Sequence, residues 1–274
     1  MHWLKRPASN TQIVHGRRIW LYVVAAIIML LLVIPSFIVI PMSFSDSKFL
    51  EFPPENWSIL WYEKYFGSAK WMRATATSLK VGLLTMLVAT PIGTMAAYAL
   101  FVSGHRFARA IFALLITPMI VPVILIAIGT FYAFGRFGLN NTISGLVLAH
   151  TVIAIPLITI VITSALRNYD LNQERVARSL GASRIRAFFV ITVPQIKFSI
   201  ATAALLSFLT SFDEVIISIF VSGGKNATLT KHMFSALRDF IDPTIAAIST
   251  IMILVSTALL LLNQFFSGRS KSKQ

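Results

Sequence analysis

The sequence predicts an all-α integral membrane protein with six transmembrane helices. Three observations carry that prediction: a composition too apolar for a soluble domain, six long runs almost free of charge, and cations crowded into alternate connecting segments. Of 274 residues, 56% are hydrophobic and 12% charged, with a mean hydropathy of +0.77. In a soluble domain about a quarter of the residues are charged.

Residues 19–45, 81–105, 110–135, 137–166 and 243–268 contain no Asp, Glu, Lys or Arg, and a sixth run, 198–221, is apolar apart from Asp213 and Glu214. Each is long enough to cross a bilayer, which takes roughly 20 residues at about 1.5 Å each. Backbone groups in hydrocarbon must be satisfied within their own segment, so the runs are helices. Lys5, Arg6, Arg17 and Arg18 precede the first run as they would in a signal peptide. Its apolar core is too long for a cleaved segment, so a retained first span is expected.

Charge asymmetry sets the expected orientation. With a cytoplasmic N-terminus, the inner segments hold fifteen cations against Asp170 and Glu174, while the outer segments hold nine cations against eight carboxylates. Nearly all of the net charge of +14 then lies on one side, which places both termini in the cytoplasm. The basic balance thus reports topology, and nucleic-acid binding is not expected. Zero cysteines exclude disulfides and thiolate metal sites.

The organisation that follows is a cytoplasmic tail over 1–18, a membrane domain over 19–268 and a cytoplasmic tail over 269–274. The outer segment 42–75 is rich in aromatics. Within it Ser58 is placed to cap a short helix carrying Trp61, Tyr62, Tyr65 and Phe66 at helical spacing. Two readings stand for this helix: an aromatic belt at the headgroup level, and a docking surface for an external partner.

The inner segment 167–195 carries the most informative pattern, ERVARSLGASRIRAFFVITVP over residues 174–194. Good helix formers fill 171–180, Gly181 and Ala182 permit a turn, and a helical pattern resumes at Arg184 before Pro194. Ala177 and Gly181 are small and four apart, which leaves room for another protein's backbone, while Arg175, Arg178, Arg184 and Arg186 offer cations for acidic groups. Pro194 suits the first turn of the next span.

This segment resembles the EAA loop in permease subunits of binding-protein-dependent ABC importers: Glu-Ala-Ala, three residues, Gly, nine residues, then Ile-x-Leu-Pro. Gly181, Ile191 and Pro194 fall on their marks and Ala177 matches the second Ala. Val193 replaces the Leu, Val176 the first Ala and Arg175 the Glu, with Glu174 one position ahead. The stretches LAHTVIAIP (148–156), SFLTSFDEVIISIFVSG (207–223) and TLTKHMFSALRDFIDPTIAAIST (228–250) resemble the spermidine/putrescine (polyamine/opine/phosphonate) group of these permeases.

The resemblance implies a type I ABC importer permease fold in a bacterial inner membrane. It implies an ATPase dimer that grips Glu174, Arg175, Ala177, Arg178, Gly181, Ala182, Ile191 and Pro194, a second permease subunit that is a paralogue, and a periplasmic solute-binding protein. It also implies a small cationic solute such as a polyamine, with an opine or aminoalkylphosphonate as alternatives, and ATP and Mg held by the partner ATPase and not by this chain. The sequence agrees on that last point: Gly223-Gly224-Lys225 is followed by Asn226, and Ile219 stands where a P-loop needs its first Gly.

For the translocation path, Ser207, Thr210, Ser211, Glu214 and Ser218 recur in steps of three and four and would share one face of a continuous helix. Asp213, about 100° away on such a helix, is assigned to a structural or inter-subunit ion pair. An intramembrane carboxylate is a functional candidate by default. A second reading places the pair at the outer interface, since Glu214 lies about 30 Å along the helix from Pro194. His150 has no partner at metal-ligand spacing and is expected to be a packed histidine. Pro91, Pro118, Pro122 and Pro156 lie inside predicted spans and are expected to shape the bundle by kinking.

Overall fold

A chain in hydrocarbon has no water to satisfy its backbone, and the structure follows that constraint closely. The computed structural model describes residues 18–104 and 106–271; the rest of the expected tails, 1–17 and 272–274, lies outside the described residues. Among the described residues every regular element is a helix, and extended pairing is confined to one isolated bridge between Ser45 and Trp57.

In order the helices are α1 (Ile19–Met42), α2 (Leu60–Gly67), α3 (Ala69–Ser103), α4 (Ala108–Ile116), α5 (Val123–Phe137) and α6 (Ile143–Arg167). There follow α7 (Leu171–Ser179), α8 (Arg184–Ala187), α9 (Val193–Asp213), α10 (Ile216–Val221), α11 (Leu229–Phe240) and α12 (Thr244–Lys271). Among the described residues five stretches are long and apolar enough to span a membrane: α1, α3, α6, the helical run Arg184–Asp213, and Thr244–Phe265 within α12.

The predicted span 110–135 is not a straight helix. It is a pair, Ala108–Met119 and Val123–Phe137, bent by 94°. Pro118 opens a 3₁₀ turn and Pro122 sits before α5 in extended conformation. Neither proline offers an N–H to a helical ladder, so the helix loses bonds at both points and stops and restarts. Pro91 and Pro156 remain inside unbroken helices.

The chain divides into two compact units, residues up to 65 with 241–253, and residues 66–240 with those from 254 onward. In the first, no residue of α1 is buried, as suits a helix whose surroundings are lipid or other chains. The aromatic segment folds on itself: the Phe44 ring lies 5.2 Å from Tyr62, whose hydroxyl is 2.7 Å from Ser43 Oγ. As expected, the Ser58 hydroxyl accepts the Leu60 N–H that opens α2. Trp61 and Tyr65 are buried, whereas Trp57 is exposed.

The second unit is a bundle in which α3, α6 and α9 pack on one another. Helices in lipid gain little from hydrophobic burial and associate by close packing, which small residues permit. Ala89, Ala97, Ala154 and Ala203 are fully buried among Ile158, Ile162 and Leu166. Gly93 shows how tight the crossing of α3 and α6 is: a Cβ there would stand 2.7 Å from the Ile158 side chain. A larger residue would force the two helices apart.

Candidate functional site

Two places concentrate polar chemistry in this bundle: the connection from α6 to α9, and the break after α9. In the first, α7 begins where the Asp170 carboxylate accepts the Asn172 N–H at 2.9 Å. It ends at Ser179, and just beyond it Gly181 has a φ of +94°, left-handed backbone, with the Ala182 N–H donating back to the Ala177 carbonyl at 3.1 Å. Ser183 then caps α8 by accepting the Arg186 N–H, and one π-helical stretch, Phe188–Thr192, leads into α9 with Pro194 in its first turn. The pair of short helices with a bend at Gly181 matches the expectation from sequence.

Arg175, Arg178, Arg184 and Arg186 are exposed. So are large apolar side chains that sequence reasoning did not single out, Leu180 at 84% and Ile185 at 73%, with Val176 beside them on α7. Ala177, Ala182 and Ile191 are half-buried, and Gly181 and Pro194 are exposed. The loop therefore offers a surface of cations around bare hydrocarbon, a composition suited to an apolar groove with an acidic rim.

Glu174 does not stand with that surface. It is buried, and its two oxygens accept hydrogen bonds from the Tyr98 hydroxyl on α3 at 2.5 Å and from Thr192 Oγ1 at 3.1 Å. Tyr169 closes the group, its hydroxyl 3.0 Å from Thr192 Oγ1. Burial, and after it the nearby Glu174 carboxylate, push the Tyr169 phenol above its ordinary pKa. Adjacent residues on a helix are about 100° apart, so a carboxylate one position ahead of Arg175 points inward while Arg175 points out. Tyr98, Tyr169 and Thr192 carried no motif, and only the chain tracing brings them together.

At the second place the predicted continuous helix does not form. α9 ends at Asp213, Glu214 is extended with ψ 114°, and α10 starts afresh at Ile216. The polar stripe is thereby cut and mostly turned inward. Ser207, Ser211 and Ser218 are buried, Thr210 and Glu214 are half-buried. Glu214 Oε1 accepts the Ile217 N–H at 2.9 Å, which makes its carboxylate the cap of α10, and its carbonyl accepts from Thr230 Oγ1.

His150 is fully buried on α6 and spans the break. Its Nδ1 lies 2.7 Å from Ser211 Oγ before the gap, and its Nε2 3.4 Å from Ser218 Oγ after it. Ser211 also donates to Thr85 on α3. The Lys231 ammonium donates to the carbonyls of Ile219 and Ser222 at the end of α10. Asp213 is the exposed carboxylate of the pair, with no hydrogen bond or ion pair among the described residues. No cluster of three metal-ligating side chains occurs among the described residues.

Residues 89–272 match the family described as the inner membrane component of binding-protein-dependent transport systems, which covers the end of α3 with Tyr98, all of α6 and α9, and the loop between them. The chain belongs to this family. Among its relatives, the spermidine/putrescine transport system permease protein PotC of Haemophilus influenzae is 30% identical over 240 residues, which is 87% of this chain and 93% of that protein. The putrescine transport system permease protein PotI of Escherichia coli K12 is 30% identical over 242 residues, 85% of each chain.

Among solved structures, this family member resembles a bacterial alginate ABC transporter in complex with alginate pentasaccharide-bound periplasmic protein, with a TM-score of 0.67, 16% identity, and coverage of 93% of this chain and 96% of that one. An amino acid ABC transporter gives a TM-score of 0.55 at 20% identity, covering 77% and 96%. The fold is that of ABC importer permeases.

Proposed function

We propose that this chain is the permease subunit of an ATP-driven importer that moves a polyamine such as putrescine or spermidine, received from a periplasmic binding protein, across the bacterial inner membrane into the cytoplasm. The observation that carries the mechanism is the loop 168–191: a cationic, apolar surface exposed on one side and anchored through Glu174 to Tyr98 of α3 and to Thr192 at the entry to α9 on the other. The polyamine assignment is supported by the names of the relatives that align with most of the chain.

In this proposal the termini and the loop are cytoplasmic, in keeping with the crowding of cations there. An ATPase dimer receives α7 and the Gly181 turn, and holds the ATP and Mg. The outward cations ask for carboxylates on the rim of its groove, and Leu180 and Ile185 for an apolar floor. A second permease subunit, a paralogue, completes the pore. Because the Glu214 carboxylate caps α10, Asp213 is the side chain left to meet a passing ammonium, and a single exposed carboxylate gives the weak site that conduction requires.

The test is uptake of radiolabelled putrescine into proteoliposomes carrying the full complex, with binding protein outside and ATP inside. Uptake that needs ATP and every subunit is expected. Accumulation without ATP, or ATP-dependent import of a different solute with none of putrescine or spermidine, overturns the proposal.

A further inference from the structure

Buried carboxylates are uncommon because an ion loses its water there, and they persist where hydrogen bonds replace that water. Glu174 is 4% exposed, yet lies on a nine-residue helix that is largely uncovered. Its donors come from opposite sides in sequence: Tyr98 stands 76 residues earlier on α3, and Thr192 18 residues later at the entry to α9. The Tyr98 ring in turn rests on Phe188, 4.4 Å between centroids, at the start of the π-helical stretch. Each oxygen of the carboxylate therefore ties α7 to a different helix of the core.

Besides this tie, α7 meets that core through Leu171, which packs against the cluster around Leu166 and Phe188. Its remaining side chains are exposed, apart from the half-buried Leu171 and Ala177, and a hydrogen bond between Gln173 and Gln195 lies at the surface. A short helix with so little packing would fray or tilt under load unless a specific tie held it.

We infer that Glu174 is a positioning residue: through Tyr98 and Thr192 it fastens α7 to α3 and α9, so that displacement of the loop by its motor moves the bundle and is not absorbed in the connection. The inference rests on the importer assignment proposed above and deepens it. Arg175 faces the motor, and the carboxylate one step before it faces the core, so gripping and fastening fall to adjacent residues. Removing the tie leaves the outward surface unchanged, and the complex still assembles while its strokes are transmitted poorly.

The experiment compares wild type, Glu174→Ala, Glu174→Gln, Tyr98→Phe and the Glu174→Ala/Tyr98→Phe pair in the reconstituted complex, measuring putrescine imported per ATP hydrolysed. Glu174→Ala is expected to lower that ratio roughly tenfold or more, the factor that loss of a buried hydrogen bond to a charged group entails. Tyr98→Phe lowers it less, Glu174→Gln restores most of it by keeping an acceptor, and the pair is no worse than Glu174→Ala alone because both act through one tie.

Amide exchange of residues 171–179 is measured on the same complexes and does not depend on the substrate. Faster exchange in Tyr98→Phe, which removes a single oxygen, is expected even if Glu174→Ala fails to accumulate. A wild-type ratio in Glu174→Ala, additive losses in the pair, or unchanged exchange in Tyr98→Phe overturns the inference. A wild-type complex that imports no putrescine while Tyr98→Phe still loosens 171–179 overturns the substrate assignment and leaves the tie standing.

Discussion

Asp213 and Glu214 are neighbours with the same charge and opposite occupations. The Glu214 carboxylate is engaged by the Ile217 N–H, and Asp213 is exposed without a partner among the described residues. Asp213→Asn is therefore expected to reduce putrescine uptake at limiting substrate about tenfold, the ~1.4 kcal/mol of one charge-assisted contact. Glu214→Gln keeps an oxygen for the cap and should change uptake less than about twofold, whereas Glu214→Ala should cost ~1 kcal/mol of stability as other lost caps do. The reverse ranking in an uptake assay, with Glu214→Gln the damaging change, would return the path to Glu214. A single backbone fact separates the two residues: helical spacing assigns faces only while the helix continues, and this one stops at Asp213.

Among the elements, the bend between α7 and α8 depends on Gly181. At φ +94° a Cβ meets no neighbour but strains its own backbone, so Gly181→Ala is expected to cost about 1–2 kcal/mol in the thermal stability of the loop. Gly181→Asp adds a negative charge to a cationic face, and should lower ATPase stimulation in the assembled complex beyond the alanine variant. Equal stimulation in the two would leave backbone conformation as the whole effect. The bend itself was legible in the sequence, because Gly-Ala between helix formers is a local signal. The inward turn of Glu174 was not legible in the same way: the resemblance grouped it, one position ahead of the motif, with the motor-facing residues, and the Tyr98 and Thr192 that hold it are distant in sequence.

For the whole molecule, the proposed orientation puts the loop in the cytoplasm and the aromatic segment outside. The chain has no cysteine, so single introduced thiols report topology without background. Ser179→Cys in α7 and Lys48→Cys in the aromatic segment both replace exposed residues. In intact cells an impermeant maleimide should label Lys48→Cys and leave Ser179→Cys unlabelled until the membrane is opened; the opposite pattern would invert the proposed topology.

The sequence by itself determined the fold class, the long helices, the loop with its bend, and the resemblance that the family comparison bears out. These are written in composition, in charge spacing and in local turn chemistry, all of which act over a few residues or one helix length. Only the tertiary structure decided that residues 108–137 form a bent pair, that the stripe from Ser207 to Ser218 is cut, that His150 bridges the cut, and that Glu174 faces inward. Those outcomes depend on which atoms from distant segments arrive to satisfy a buried polar group, and helical periodicity carries no information about that.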